Sequence, residues 1–292
     1  FSDYRVAFLF GNNWSDWNAA TSASALITGT WNHIAASYDG STLRIYINGR
    51  LDASVSWTNG ITDSGTNLLV GARMGNITPS TFFMGAIDEV RVWGTARTEA
   101  QIRENMFRTL VGNEAGLRAY HRLDNSDGTT VYDLTSNANN GTLTNMDPAT
   151  DWVASDAFNT WVGGDSSVWS TASNWSKGTV PIAAQSVGLY KWALGNEATV
   201  STSPAVRSFF ISSTASPTLN SAISVSANLI LEKNLDLNGQ AVTLGSTSYL
   251  LEGTGRAYGT SGTISTTRSL SNISGVDVAL LGAKITTAAN MG

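Results

Sequence analysis

The feature that most constrains this chain is a series of short segments, between residues 31 and 54, joined by two turn dipeptides. Asp39-Gly40 and Asn48-Gly49 each separate two segments that are rich in apolar and β-branched residues. Tight hairpin turns favour these dipeptides because Gly, Asn and Asp reach positive φ angles at low steric cost. The segment therefore predicts three antiparallel strands that follow one another as a meander.

The middle segment also alternates between apolar and polar residues. Successive side chains of a strand point to opposite faces of the sheet. One face should therefore be buried and the other should meet solvent. We expect Leu43, Ile45 and Ile47 on the buried face and Arg44, Tyr46 and Asn48 on the solvent face.

Helical periodicity is nearly absent from the rest of the first half. The single predicted helix spans residues 98–109, with Thr98 as its N-cap and Gln101 at the capping-box position. Short strands are expected at 67–73, 82–93, 116–123, 129–133 and 140–146. Short strands separated by Gly-rich turns favour an all-β sandwich or jelly roll over a parallel α/β sheet.

The second half of the chain has a different pattern. Three tryptophans, Trp161, Trp169 and Trp175, lie within fifteen residues and are separated mainly by Gly, Ser and Asn. From Ala198 onward, brief apolar segments recur too often for long hairpins, which suggests β-solenoid turns of roughly 20 residues that bury their faces by stacking. An ordinary second sandwich is the alternative. We predict a jelly-roll domain at 1–158, and a Trp/Gly linker with a β-solenoid or β-helix-like domain at 159–292.

Composition excludes several functional classes. The net charge is −5 with no basic stripe, so binding to nucleic acid is not expected. The chain has no cysteine, and no apolar run approaches the about 18–20 residues of a membrane span. Since the chain opens within a predicted strand and stops abruptly, we expect an N-terminal strand and part of the second domain to lie beyond it.

Residues 28–106 resemble the laminin-G-like family of concanavalin A-like jelly rolls. The resemblance rests on a Trp-containing strand, Tyr-Asp-Gly at 38–40, the Asn-Gly turn, and the run from Phe83 to Asn105 that contains IDEVRVW. Gly94 departs from the pattern, since the family more often has Asn or Asp there. The resemblance implies a jelly-roll fold and a binding role.

The remaining segments are similar to parts of large surface proteins of Bacteroidota-type bacteria. Residues 116–158 resemble the element that completes such a sandwich, and residues 160–181 resemble the start of a solenoid region. This resemblance implies an extracellular or cell-surface location, type IX secretion and further domains of the same polypeptide. The implied partner is a glycan or a surface protein.

The same family resemblance implies a structural Ca²⁺ ion. In the family, the residue matching Asp88 often helps to bind calcium with the Asp of a D-x-[ST]-x-N element, here Asp133 with Asn137. Calcium needs six to eight oxygen ligands, and the Asn/Asp-rich turns could supply them. The alternative is that Asp88 accepts backbone hydrogen bonds and Glu89 pairs with Arg91 or Arg97.

Three of the ten tryptophans lie in predicted loops: Trp14, Trp17 and Trp57. Exposed aromatic rings can stack on sugars, so these three are the candidate ligand-binding residues. Packing in the core is the favoured alternative, because Trp is highly buried on average. The tryptophans of the predicted strands and linker are expected in the core: Trp31, Trp93, Trp161, Trp169 and Trp175.

Catalytic motifs are missing from the sequence. Concanavalin A-like glucanases place two carboxylates on one strand in an E-x-D-x-E pattern, and no segment here has that pattern. His33 and His121 have no neighbouring metal ligands in sequence, so structural roles are expected. We therefore predict a non-catalytic binding module of an adhesin. The alternatives are a structural bead or spacer of a surface filament, and an accessory module of a polysaccharide-degrading enzyme.

Overall fold

The computed structural model describes residues 3–13, 16–61, 65, 67–74, 79–125, 127–246, 248–266, 277–280 and 283–286. The chain divides into two compact units, Phe1–Ser155 and Asp156–Gly292. The division falls before Phe158 because that residue begins the first parallel strand of the second unit. None of the described helices has the length and apolar content needed to cross a membrane.

The first unit consists of antiparallel strand pairs and one α-helix. Its strands are β1 (Arg5–Asn13), β2 (Asp16–Ala25), β3 (Ile34–Tyr38), β4 (Thr42–Ile47), β5 (Arg50–Ser56), β6 (Ala72–Met74), β7 (Pro79–Phe82), β8 (Val90–Trp93), β9 (Leu117–His121), β10 (Thr130–Val131) and β11 (Gly141–Thr142). The helix α1 spans Glu99–Met106.

The predicted meander is confirmed. Strands β3, β4 and β5 form a three-stranded antiparallel sheet in that order. The turn residues adopt the backbone conformation that motivated the prediction, with φ of +51° at Asn48 and +77° at Gly49. Leu43 and Ile45 are fully buried and form a core cluster with Ala20 and Trp57.

The predicted solvent face of β4 is wrong at one position. Tyr46 is only 4% exposed, although it lies on the opposite side of the strand from Ile45. The strand is therefore covered on both faces at this point, and alternating side chains do not produce alternating exposure. Sequence periodicity alone cannot show that a second layer covers the outer face.

The predicted helix is present but shorter at its C-terminal end. The Thr98 side chain accepts a hydrogen bond from the Gln101 backbone N–H, and the Gln101 side chain accepts one from the Thr98 N–H, which completes the capping box. The helix packs on the β4–β5 turn. A Cβ atom placed on Gly49 would lie 2.9 Å from Arg103 Cγ and from Met106 Sδ.

The remaining strands of the first unit are shorter than expected. One strand was expected over 82–93. The structure has only Phe82, the last residue of β7, and the separate strand β8 in this range. Gly85 and Glu89 both have positive φ angles, at +157° and +57°, and positive φ interrupts an extended run. These interruptions leave β6–β7 and β8–β9 as separate two-stranded ribbons.

The second unit is built almost wholly from short parallel strands. They are β12 (Phe158–Trp161), β13 (Ser186–Leu189), β14 (Thr199–Val200), β15 (Ala205–Val206), β16 (Phe209–Ile211), β17 (Thr218–Leu219), β18 (Ile223–Val225), β19 (Asn228–Leu231), β20 (Leu235–Asp236), β21 (Ala241–Leu244), β22 (Tyr249–Glu252), β23 (Ala257–Tyr258) and β24 (Thr263–Thr266). An antiparallel pair follows, β25 (Asp277–Leu280) with β26 (Ala283–Thr286).

These parallel strands form a β-solenoid of about four turns, which confirms the predicted architecture. One column of registered core residues runs through Val187, Phe209, Leu229 and Leu250, at spacings of 22, 20 and 21 residues. Inward-facing residues of successive turns stack into one continuous core. Each turn therefore buries its apolar side only against its neighbours.

The predicted Trp/Gly linker is an ordered part of the solenoid. Trp161, Trp169 and Trp175 are each at most 2% exposed, and their rings contact edge to face at centroid distances of 5.1 Å and 4.5 Å. The buried Asn174 side chain closes the segment by accepting hydrogen bonds from the backbone N–H groups of Asp165 and Ser166. The predicted burial of the three tryptophans is confirmed.

Candidate functional site

Of the three candidate ligand-binding tryptophans, the structure describes the side chain of Trp57. Trp57 is 8% exposed, packs in the core with Leu43 and Ile45, and donates its indole N–H to the Gly60 carbonyl at 2.7 Å. Trp57 is therefore a core residue and not a surface platform for a ligand. Trp14 lies outside the described residues, and so does the side chain of Trp17, whose backbone belongs to β2. Their assignment as ligand contacts stays a prediction.

Asp133 organises the loop that follows β10. Its Oδ1 atom accepts hydrogen bonds from the backbone N–H groups of Tyr120 and Thr135, both at 2.9 Å. Its Oδ2 atom accepts from the Thr135 hydroxyl at 3.0 Å and from the Asn139 N–H at 2.9 Å. A carboxylate has about four lone-pair sites. Donors of the same unit therefore satisfy the Asp133 carboxylate.

These hydrogen bonds also set the charge state of Asp133. Burial alone would raise the pKa of this carboxyl group because it disfavours the charged form. The hydrogen bonds from Thr135, Tyr120 and Asn139 outweigh burial and hold the pKa of Asp133 below its ordinary value. Asp133 is therefore an anion at neutral pH, as a calcium ligand would have to be.

The other two predicted calcium ligands have partners of their own. Asp88 accepts a hydrogen bond from the Ser155 hydroxyl at 2.5 Å. The Asn137 side chain donates to the Arg118 carbonyl at 2.8 Å. Among the described residues, no three His, Asp or Glu side chains are grouped as metal ligands. Calcium binding by Asp88, Asp133 and Asn137 stays a prediction.

A buried polar network lies beside α1. Arg91 donates to Glu89 at 2.5 Å and to the backbone carbonyls of Asn105 and Arg108 at 2.5 Å and 2.6 Å. Tyr120 donates its hydroxyl to the same Glu89 carboxylate at 2.7 Å. The pairing of Glu89 with Arg91, one of the two alternatives from the sequence, is therefore observed. Arg97 instead stacks on the Trp93 ring at 4.1 Å.

Burial governs the titration of this network. Desolvation raises the pKa of Glu89, although Arg91 and the two hydrogen bonds lower it in part. Burial and the neighbouring Glu89 charge likewise raise the pKa of Tyr120. Both groups bridge the β8–β9 ribbon to the segment after α1, since the Tyr120 hydroxyl also accepts from the Leu110 N–H. The geometry is that of a structural clamp.

The two histidines are also placed inside the first unit. Burial, and secondarily the charge of Arg91, lowers the pKa of His33 to about 3, so that His33 is neutral at physiological pH. His121 is 7% exposed, and its Nδ1 atom lies 3.1 Å from the Tyr132 carbonyl oxygen.

Sequence reasoning missed a group of exposed apolar residues next to the β6–β7 ribbon. The exposed fractions are 67% for Leu68, 45% for Val70, 63% for Phe82, 57% for Phe83 and 95% for Met84. One available signal was the low charge of residues 67–87, where Arg73 is the single charged residue. Exposed apolar patches of this kind commonly mark interaction sites.

Part of the first unit matches the profile of a known superfamily. Residues 1–103 match the profile of Laminin_G_3, described as the Concanavalin A-like lectin/glucanases superfamily. The first part of this chain is thus a concanavalin A-like domain, as the motif resemblance implied. The match covers 103 of 292 residues. No curated protein sequence matches the chain.

Two solved structures are similar to parts of the chain. One is a protein from Bacteroides ovatus whose name proposes carbohydrate binding, with 32% identity over 43% of this chain and a TM-score of 0.38. The other is an S-layer domain-containing protein from Clostridium thermocellum, with 22% identity over 34% of this chain and a TM-score of 0.24. The chain covers 37% and 49% of these two proteins, less than half of each.

Proposed function

We propose that this chain is a non-catalytic glycan-binding module of a secreted bacterial cell-surface protein. In this proposal the concanavalin A-like domain binds the glycan, and the β-solenoid is a spacer that projects it. The observation that carries the proposal is the match of residues 1–103 to a lectin and glucanase superfamily. In the same unit, the carboxylates of Glu89, Asp133 and Glu114 make structural hydrogen bonds.

The carboxylate contacts support the non-catalytic part. Glycoside hydrolysis needs an acid and a second carboxylate about 5–10 Å apart on either side of the scissile bond. Glu89 is paired with Arg91, Asp133 is saturated by four donors, and Glu114 accepts the backbone N–H groups of Val111 and Gly112. Each is committed to holding a loop or strand in place.

The second unit supports the spacer role. Its parallel ladders run through successive turns, so each turn adds a fixed increment along one axis. The motif resemblance to large surface proteins supports a location outside the cell. Adhesion by the whole polypeptide is part of the same proposal.

The test is a glycan array probed with the full chain, followed by calorimetric titration of the best ligand. We expect saturable binding that Trp14→Ala or Trp17→Ala weakens at least about tenfold, as expected when a stacking ring is lost. Tyr258→Ala is the matched control, because Tyr258 is a 53% exposed aromatic residue of the solenoid. New reducing ends released from the bound glycan would contradict the non-catalytic part.

Calcium is tested separately within the same proposal. The melting temperature and the glycan affinity are measured in millimolar Ca²⁺ and in EGTA. An ion that binds the folded state raises the melting temperature. If calcium acts through Asp88, the shift disappears in Asp88→Asn. An unchanged melting temperature and affinity would remove calcium from the proposal and leave glycan binding intact.

A lack of glycan binding on the array would favour the structural alternative. A well-folded chain that binds no glycan, in Ca²⁺ or in EGTA, would be better described as a bead or spacer in a surface filament. Binding confined to one polysaccharide, in a protein that also carries a hydrolase domain, would favour the accessory-module alternative.

A further inference from the structure

Residues 91–122 form a basic stretch within an otherwise acidic unit. They contain six arginines and three glutamates, whereas the rest of the first unit carries four arginines and twelve carboxylate side chains. The first unit contains no lysine, so its permanent cations are all guanidinium groups. A guanidinium group binds a carboxylate through two parallel hydrogen bonds, which a lysine cannot form.

Two of these six arginines lack a partner of opposite charge. Three of the others form ion pairs: Arg91 with Glu89, Arg103 with Glu99, and Arg122 with Asp124. In the part of the chain that the structure describes, the guanidinium groups of Arg97 and Arg118 have neither an ion pair nor a hydrogen bond. Their N–H groups are therefore available to an external acceptor.

Arg118 lies at a β-bulge of the β8–β9 ribbon. The register places Val92 opposite Ala119 and Trp93 opposite Leu117. Arg118 therefore has no residue opposite it. Leu117 and Ala119 are buried on either side of it, whereas Arg118 is exposed. Bulges redirect a side chain in this way and are common next to active sites.

Two sets of contacts fix the position of Arg118. Its backbone carbonyl accepts hydrogen bonds from Asn137 Nδ2 at 2.8 Å and from the Thr135 hydroxyl at 3.3 Å, and both donors belong to the loop that Asp133 organises. Its side chain lies against Gly94, where an added Cβ atom would be 2.6 Å from Arg118 Nε. A group that is positioned before binding loses less conformational freedom when a ligand binds.

Arg97 is oriented by the residue next to Gly94. Its Cζ atom lies 4.1 Å from the centre of the Trp93 ring, which is a cation–π contact. The two unpaired guanidinium groups therefore contact neighbouring residues of the chain. Partial burial lowers the pKa of Arg97, although the group stays charged at neutral pH. A partly desolvated cation attracts an anion more strongly than a cation in bulk water does.

We propose that Arg97 and Arg118 recognise the carboxylate groups of an acidic glycan, such as a polymer of uronic acids. This inference rests on the proposed function, because it names the class of glycan that the first unit binds. Arg118 donates two parallel hydrogen bonds to one carboxylate, and Arg97 binds a second carboxylate of the same glycan. The exposed amide groups of Asn137 and Asn139, beside Arg118, are available to the sugar hydroxyl groups.

The test is a glycan array with carboxylated, sulfated and neutral oligosaccharides, probed with the full chain. We expect the carboxylated arm to bind best, and its affinity to fall as the salt concentration rises. The best ligand is then compared by calorimetry with its methyl ester, which keeps the sugar and removes the charge. The ester should bind at least about tenfold more weakly, because hydrogen bonds between charged groups are lost.

Variants of the two arginines locate the site. Arg118→Gln should weaken binding of the carboxylated ligand at least about tenfold, and Arg97→Gln should weaken it by a smaller factor. Both variants should keep the wild-type circular dichroism spectrum and melting temperature. Arg44→Gln is the matched control, because it removes the same charge from β4 and its ion pair with Asp39 is about one-third exposed on both sides. Its affinity should equal that of the wild type.

The outcomes separate this proposal from the proposed function. Binding confined to neutral glycans would overturn the acidic-glycan proposal and leave glycan binding by the first unit intact. No binding in any arm would overturn both. Binding that Arg118→Gln leaves unchanged, or that Arg44→Gln weakens as strongly, would overturn the site. A preference for the sulfated arm, or for poly-glutamate over every glycan, would assign the site to sulfate groups or to an acidic protein instead.

Discussion

The two units are both rich in strands, but different interactions hold them together. The solenoid has one continuous apolar core, and its parallel ladders repeat from turn to turn. The described part of the first unit has smaller apolar clusters around Leu43 and Tyr120, and its loops are tied by polar side chains. Asp133 holds one such loop, and the Arg91–Glu89–Tyr120 network holds another.

The difference shows what repetition contributes. In the solenoid, each turn presents the same apolar side to the next, and side-chain hydrogen bonds between neighbouring turns, such as those from Asn238 to the Leu219 carbonyl and from the Arg256 N–H to Asn234, recur at about the same spacing. In the first unit, strands that are distant in sequence must be brought together without a repeat. Buried hydrogen bonds and ion pairs specify those pairings, and their loss is costly because the partner groups stay buried.

The largest effect is expected from the core of the solenoid. Phe209→Ala removes a fully buried ring from the core column, beside Trp169 at 6.1 Å. Such a cavity costs about 3–5 kcal/mol. Hydrogen exchange of the full chain should show lower protection in the second unit and unchanged protection in the first. Leu194→Ala is the control, and protection equal to wild type in Phe209→Ala would contradict the single-core description.

A slightly smaller effect is expected from the polar clamp of the first unit. Arg91→Ala leaves Glu89 and two backbone carbonyls buried without their donor, which costs about 3 kcal/mol. Hydrogen exchange should increase around β8, β9 and the C-terminal end of α1. Arg44→Ala removes an ion pair that is about one-third exposed on both sides, and it should change protection far less.

Asp133→Asn tests whether charge holds the loop after β10. The variant should lose about 1–2 kcal/mol at pH 7, because the amide cannot accept all four hydrogen bonds. The pKa of Asp133 is lower in the folded state than in the unfolded chain, so its contribution is present above the unfolded value. Stability of the wild type should therefore fall as the pH drops below about 4, the ordinary Asp value.

Urea unfolding monitored by exchange in the first unit, at pH 7 and at pH 3, measures this dependence. The gap in unfolding free energy between the wild type and Asp133→Asn should narrow at pH 3, because the unfolded wild-type chain then binds a proton at Asp133 more readily than the folded chain does. A gap that is the same at both pH values would show that the charge of Asp133 does not hold the loop.

An effect of similar size to that of Asp133→Asn is expected at the β4–β5 turn. Gly49→Ala places a methyl group 2.9 Å from Arg103 Cγ at a φ of +77°, and should cost about 1–2 kcal/mol. Gly60 has a similar φ of +74° but nothing within 4 Å of an added Cβ. Gly60→Ala therefore isolates the conformational part. Equal losses in thermal melting would show that contact with α1 contributes nothing.

Local chemistry determined much of this structure in advance. The hairpin turns, the capping box of α1 and the roughly 20-residue rhythm of the solenoid depend on neighbours in sequence, and all three were predicted. The pairing of Glu89 with Arg91 was one of two alternatives, because residues two apart on a strand can meet but need not. The motif resemblance also placed the concanavalin A-like domain correctly.

Only the tertiary structure decided which residues are buried by parts of the chain that are distant in sequence. Tyr46 and Trp57 are buried because other parts of the first unit lie over them, and neither alternation nor a loop position reveals such a layer. The Trp161–Trp175 segment was predicted as a linker, but it is ordered. Its order comes from indole packing and from the Asn174 hydrogen bonds, which the sequence pattern does not show.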